Sequence, residues 1–365
     1  MGGFQAMPEI YMAAALSSMS FPRRQGYCSP CVMETTMMNR RDMMKGALAG
    51  AALGPLGWAR QAAAQLAGNA TIVSGFPAGG MGDAVARPMA ERMRGRYAAG
   101  AIVDARVGAG GRIAVEHVKR AAPDGLTILQ IPGSIMTVYP HIYKKLNYDP
   151  LTDFAPVTTT CSYPTSFTAG PGLPAEIRTV PEFVRWARAN PKLSVYGIPA
   201  AGSSLHFAGM LLQRAAGIEF TSVAYRGGAP LLQDLLGGQV PVSFNVLGEV
   251  LPHVRAGRLR SLGVTTPQRS TFLPETPTLI EQGFKDIALT EWLGWFMPAK
   301  TPMEIVRRLN TLLRESLSTP EFVESLATRG LQPLHQSPEE FAALLKSDLE
   351  RWGPIVKATG FTAEE

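Results

Sequence analysis

The chain has 365 residues, 46% of them hydrophobic and 18% charged, with a mean hydropathy of +0.04 and three cysteines. That suits a globular protein of one large or two medium domains and excludes collagen, a disordered polymer and a disulfide-stapled miniprotein. A net charge of +6 and a pI near 9.3 raise nucleic acid as a partner, so the charge has to be located before it is read.

Residues 1–64 differ from the rest, holding nine of the sixteen methionines and two of the three cysteines. Arg40, Arg41 and Lys45 precede an uncharged Ala/Gly-rich run from Gly46 to Ala59, and Ala62-Ala63-Ala64 offers a small-residue cleavage site. A basic, an apolar and a small-residue part make an export signal, and the pair Arg40-Arg41 points to the twin-arginine route. Gly54, Pro55 and Gly57 interrupt the run, which is shorter than the roughly 20 residues of a membrane span. A start at Met37 or Met38 would give the signal ordinary proportions. Without residues 1–64 the chain carries 29 basic and 26 acidic residues, net +3, too little for a nucleic-acid footprint. Cys161 is then the one cysteine left, and Cys28-Ser29-Pro30-Cys31, for all its redox spacing, falls in the discarded segment. The mature chain is expected in an exported compartment and not in the membrane.

Beyond residue 64, β-rich and helical runs alternate. A strand over Ala70–Ser74 leads through the loop Gly75–Asp83 into a helix ending near Arg94. A strand over Ala101–Val107, a helix around Ile113–Ala121, the turn Pro123-Asp124-Gly125 and a strand over Leu126–Gln130 follow. Next come a strand at Leu193–Tyr196, a helix at Leu205–Ala216, a strand at Thr221–Ala224, a helix at Ala229–Leu236 and a strand at Val240–Phe244. Such alternation predicts an α/β fold with parallel-rich sheets, and about 300 residues of it predict two lobes. The extended segments Phe154–Ala169 and Ala288–Met297 serve as two crossover strands between them. Residues 65–160 with 290–365 form the first lobe and residues 161–289 the second. Amphipathic helices are expected over Pro302–Ser318, Pro320–Arg329 and Ser337–Lys357.

Strand-to-helix loops are where an open α/β sheet binds ligands, because backbone N–H groups at helix starts attract anions. Three loops fit: Phe76–Asp83, Pro199–His206 and Tyr225–Gly228. Their small residues let a carboxylate approach the main chain, and Ser203 and Ser204 add hydroxyls. Asp83 suits bonding of its own loop's amides better than ligand contact, and His206 suits packing better than a base. Catalytic patterns are thin. Gly108-Ala109-Gly110-Gly111 lacks the third glycine of a dinucleotide loop, there is no Gly-x-Ser-x-Gly elbow, and Ser204 with His206 has no acidic orienter. The five histidines are scattered without metal-ligand spacing. No enzyme activity and no cofactor are expected.

The stretch Gly75-Phe76-Pro77-Ala78-Gly79-Gly80-Met81-Gly82-Asp83 with Arg87 resembles the first ligand loop of the Bug-type extracytoplasmic solute receptors, the substrate-binding proteins of tripartite tricarboxylate transporters. The likeness continues through Gly108–Gly111, Pro123–Gly125, Tyr148–Pro150, Asp153–Val157, Gly202–His206, Tyr225–Pro230 and Asp234–Val240. It implies a two-lobed periplasmic binding protein of type II-like fold, a monomer that closes around a small organic carboxylate and delivers it to membrane permease subunits. A ligand sensor docking onto a membrane signalling protein would bind in the same way, and an exported α/β enzyme stands as the weaker alternative. Ligand contacts are placed at Phe76, Ala78, Gly79, Gly80 and Asp83, at Ser134, at Ala200, Ala201, Gly202, Ser203, Ser204 and His206, at Tyr225, Gly227 and Gly228, and at Asn245. The expected donors are the Gly79–Gly80 amides on one lobe, and Gly202, Ser203 and the Gly227–Gly228 amides on the other. Departures from the family pattern occur at Met136, Tyr139, Ala200, Ala201 and the Ile198-Pro199 pair, and Asn245 stands where an acid is usual. Apolar surface for polar donors and one negative charge fewer imply a bulkier, less charged ligand than citrate, such as an aromatic or monocarboxylic acid.

Overall fold

The computed structural model describes residues 66–363, so the expected export signal, with Arg40 and Arg41, lies outside the described residues. From the N-terminal side, β1 (Leu66–Ser74), α1 (Met81–Met93), β2 (Ala98–Ala105), α2 (Arg112–Lys119) and β3 (Thr127–Pro132) follow one another. Two short helices, α3 (Gly133–Thr137) and α4 (Tyr139–Ile142), precede β4 (Phe154–Tyr163). The middle of the chain holds β5 (Thr165–Ala169), α5 (Val180–Ala189), β6 (Val195–Ile198), α6 (Ser204–Ala216), β7 (Thr221–Ala224) and α7 (Gly228–Leu236). It ends with β8 (Val242–Val246), α8 (Leu247–Arg255) and β9 (Arg260–Val264). The chain then runs through β10 (Glu291–Pro298), α9 (Met303–Leu317), α10 (Pro320–Ala327), β11 (Gln332–Pro333) and α11 (Pro338–Thr359).

Two sheets result, ordered β11-β4-β10-β3-β1-β2 and β7-β6-β8-β5-β9. Each is mixed. The pairs β1/β2, β1/β3, β6/β7 and β6/β8 are parallel, as strand–helix–strand units require. The strands that travel between the sheets arrive reversed: β10 pairs antiparallel with β3 and β4, and β5 with β8 and β9. The sheets are therefore less parallel than the alternation of strands and helices suggests. The segment 154–169 is indeed a crossover, split into β4 and β5 at Pro164, which cannot donate to a ladder. Ladder pairing of β4 with β10 runs on to Tyr163 opposite Glu291. We keep the division into residues 65–160 with 290–365 and residues 161–289 as a proposal.

Helices α5 and α8 and strand β9 are additions to the sequence reading. Thr179 and Glu182 form a reciprocal capping box at the start of α5, with the Thr179 hydroxyl accepting from the Glu182 amide at 3.3 Å. One apolar cluster runs from Val73 and Ile131 beside the first sheet to Phe167, Phe183 and Phe244 on the second, and on to Trp352. The last helix spans both halves. It packs on β4, α3 and α4, then reaches α6, where Trp352 meets the Phe207 ring at 5.6 Å and the Ala358 carbonyl accepts from Arg214 at 2.6 Å. Among the described residues no helix is long and apolar enough to cross a membrane.

Candidate functional site

The loop between β1 and α1 is shaped by glycine. Gly75 packs against the Gly111 backbone so closely that a Cβ would stand 2.9 Å from its Cα, and Gly79 has φ +87°. Asp83 Oδ2 accepts from the Gly79 amide at 3.1 Å and from Arg87 Nε at 2.7 Å, so it fixes the loop from the first turn of α1. Gln130 Nε2 donates to the Gly82 carbonyl at 2.8 Å, while Gln130 Oε1 accepts from Trp295 Nε1 at 3.1 Å. Gly80 caps α1 without a side chain, leaving first-turn N–H groups for another acceptor. The start of α7 is similar: Gly227, at φ +113°, caps it with no side-chain bond.

These two helix starts line one cavity of about 800 Å³. Phe76, Ala78, Gly79, Gly80, Asp83 and Ser134 line it from one half of the chain. Ala200, Ser203, Gly227 and Gly228 line it from the other. The remaining expected contacts do not line it, and the local hydrogen bonding says why. Gly202, at φ +73°, gives its amide to His206 Nδ1 at 3.2 Å and faces Ile142. His206 therefore carries its proton on Nε2 when neutral; it is buried, and burial lowers its pKa to about 4. Its ring meets Phe361 edge-on at 4.8 Å. Tyr225 donates to Asp234 at 2.8 Å, and Ala201 is exposed beyond the cavity. Asn245 is buried on the opposite side of β8 from the cavity-lining Val246, and its Oδ1 accepts from Ser243. Ser204 is buried beside Glu291.

The donor set is correspondingly narrower than the sequence implies. The Gly79 amide goes to Asp83, the Gly202 amide to His206, and the Gly227 amide to the Pro199 carbonyl at 2.9 Å. Ser203 Oγ donates to the Ala200 carbonyl at 2.8 Å and accepts from the His206 amide at 3.4 Å, so it caps α6. What α1 and α7 offer an anion is their first-turn amides from Gly80 and Gly228 onward. Met136 and Tyr139 are fully buried and do not line the cavity, so these two departures change the core and leave the cavity wall as it was.

Several lining residues escaped the sequence reading: Gln130, Tyr163, Glu249, Glu291 and Arg329, while Arg226 enters it only as part of its loop. The expected loss of negative charge at Asn245 is offset four residues later by Glu249. Burial raises the Glu249 carboxyl to about 7. It also raises Glu291 to about 7, against the opposing pull of the Ser204 hydroxyl and the Ser134 amide. Tyr163 lies close enough to both carboxyls that each, after burial itself, pushes its hydroxyl well above the usual value. Arg226 and Arg329 are exposed at the rim and form no ion pair among the described residues. No group of three or more His, Cys, Asp or Glu among the described residues could hold a metal ion.

Two close glycine contacts join the halves, the first of them backbone to backbone at the cavity edge. Gly248, at the start of α8, lies against the Arg329 carbonyl and Gly330, and a Cβ on Gly330 would stand 2.9 Å from Gly248 Cα. Gly202 lies against the Ile142 side chain.

Residues 85–361 match the family model described as the tripartite tricarboxylate transporter family receptor. A protein from the tcbD–tcbE intergenic region of Pseudomonas sp. strain P51 is 34% identical over 289 residues, covering 78% of this chain and 84% of that protein. BugT of Bordetella pertussis is 29% identical over 286 residues, covering 78% and 87%. Among solved structures, the periplasmic binding protein BugD superposes with a TM-score of 0.74 at 30% identity, over 81% of this chain and 99% of that one. R. palustris Rpa4515, solved with adipate, gives 0.75 at 31% identity over 80% and 98%. MatC of Rhodopseudomonas palustris, solved with bound malate, gives 0.72 at 26% identity over 79% and 98%. With its two-lobed α/β fold, its cavity between helix starts and this match over most of its length, the chain belongs to the tripartite tricarboxylate transporter receptor family, and is a homologue of the Bug proteins.

Proposed function

We propose that the protein is a periplasmic solute receptor that binds a small organic carboxylate between its lobes and delivers it, unchanged, to the membrane permease subunits of a tripartite tricarboxylate transporter. The observation that carries this reading is the pair of helix starts, Gly80 before α1 and Gly227 before α7, capped by no side chain and lining one cavity. Their orphan N–H groups and macrodipoles favour a carboxylate, and each charge-assisted bond contributes roughly 1.5–3 kcal/mol. Arg226 and Arg329 at the rim add positive potential on the approach. The adipate and malate of the Rpa4515 and MatC structures support the ligand class.

The mechanism follows from differential binding. A carboxylate that touches α1 alone gains half the donors, whereas one that touches α1 and α7 together stabilises the closed arrangement. The expected export is by the twin-arginine route through Arg40 and Arg41, and the mature protein is expected to act as a monomer. Thermal shift against a carboxylate panel, with the panel recovered and analysed afterwards, tests the reading. Stabilisation by an unmodified carboxylate supports it; product formation, or no response to any carboxylate, refutes it.

A further inference from the structure

Two carboxyl groups sit in a cavity read as a carboxylate site, and neither forms an ion pair among the described residues. Glu291 is 5% exposed and enters from β10 at the point where the chain passes between the sheets. Facing it are Tyr163 from β4, Ser134 from α3 and Ser204 from α6, with Asp348 and Arg351 of α11 within electrostatic reach. Ser204 is itself 1% exposed, and its hydroxyl finds no partner in good hydrogen-bond geometry among the described residues. Glu249 enters from the first turn of α8, with its carboxylate against Gly228 at the start of α7. Tyr163, Glu249 and Glu291 all line the cavity, Tyr163 stands opposite Glu291 in the β4/β10 ladder, and both glutamates act on its hydroxyl; together they make an inner acidic wall. Ion pairs among the described residues leave both glutamates out, and the two arginines that line the cavity belong to its exposed rim.

A buried carboxyl with no countercharge is costly even where hydroxyl and amide donors reach it, and a ligand that supplies a cationic or N–H donor recovers part of that cost. A second carboxylate placed against this wall would have to be met by two protonated glutamic acids. An ammonium or amide N–H is met by the carboxylates as they stand. We propose that Glu249 and Glu291 are specificity-determining residues of the cavity, forming with Tyr163 a subsite for a nitrogen-borne hydrogen-bond donor. The ligand is then a carboxylate that also carries an amine or amide, its carboxylate nearest the first turn of α1, since the Glu249 carboxylate already lies at the start of α7, and its nitrogen against the inner wall. This rests on the receptor reading above and names its ligand class.

The burial that raises both carboxyls to about 7 gives the proposal a second readout. Binding a cation ionises the wall and releases protons, whereas binding a second carboxylate takes them up. The test is calorimetric titration at pH 7 with two matched sets: 5-aminopentanoate, adipate and hexanoate, and 4-(aminomethyl)benzoate, terephthalate and 4-methylbenzoate. In at least one set the amine-bearing member should bind at least tenfold more tightly than both others and release protons, seen as a buffer-dependent heat. Glu249→Gln and Glu291→Gln should each reduce that preference at least tenfold. A dicarboxylate or monocarboxylate binding as tightly as the amine in both sets overturns the subsite, as does a preference that survives both substitutions. Should a Gln variant fail to fold, the sign of proton exchange in the unaltered protein decides. Tight adipate binding sinks the subsite and leaves the receptor reading standing; no response to any of the six sinks both.

Discussion

Gly248 offers the sharpest test of closure, because its missing side chain is what lets α8 touch the segment after α10. A Cβ at this position would overlap the Arg329 carbonyl oxygen and stand 2.8 Å from its carbon. Ordinary carbon–carbon contact needs about 3.5 Å, so Gly248→Ala must push the two backbones apart by about 1 Å or more. Relief by side-chain rotation is impossible, since the opposing atoms are main chain. The cost of such overpacking is about 1–3 kcal/mol. If the two segments move apart when the cleft opens, the open form escapes that cost and the closed form bears all of it. Ligand affinity then falls by about 5- to 150-fold. The ligand-free protein loses little, because Ala in the first turn of α8 also recovers roughly 0.5–1 kcal/mol of helix propensity. Titration with the tightest carboxylate of the panel, beside denaturant unfolding without ligand, separates the two effects. An unchanged Kd, or a drop in stability with no change in Kd, would show that Gly248 and Arg329 belong to one rigid body, and the closure argument would fail.

Other expectations are simpler. Glu291→Gln should stabilise the protein at pH 8 and not at pH 5. The folded state holds this carboxyl up near 7, so its stability is full below about 4.5 and lost as pH rises through 7, by about 3 kcal/mol at most. His206 works in the other direction. With its pKa lowered to about 4, it costs stability as pH falls from about 6.5 toward 4, and His206→Gln should flatten that limb of the unfolding curve. Ser203→Ala removes the cap of α6 and should cost about 1 kcal/mol in denaturant unfolding. Cys161 is fully buried with its thiol pushed up to about 12, so native protein should resist iodoacetamide at this site while unfolded protein reacts, as peptide mapping would report.

The parts of the molecule that the chain reveals are those where one residue type has one physical use. Gly79, Gly80, Gly227 and Gly228 stand between a strand run and a helical run, and such a glycine pattern has few roles besides an open helix start. Asp83 is also legible, because an acid in the first turn of a helix bonds its own loop. Helix α5 was legible and overlooked: Thr179-Val180-Pro181-Glu182 is a capping box with an early proline. Helix α8 is harder, since Pro252 interrupts a run of only nine residues. The inner wall could not be read at all. Glu291 is a single acid in an otherwise apolar strand, and only the pairing of β10 with β4 sets it beside Tyr163. Gly202 and His206 mislead for the opposite reason. In sequence Gly202 looks like a donor and His206 like a ligand contact, but the loop turns back on itself and bonds the one to the other.

The last helix begins over one sheet and ends on α6, where Phe361 and Trp352 meet His206 and Phe207 edge to face. If the halves part along this seam, the ring cluster has to open before any solute enters. Capture is expected to be limited by that excursion and not by diffusion, giving slow association and, once the strap has settled again, a long residence time.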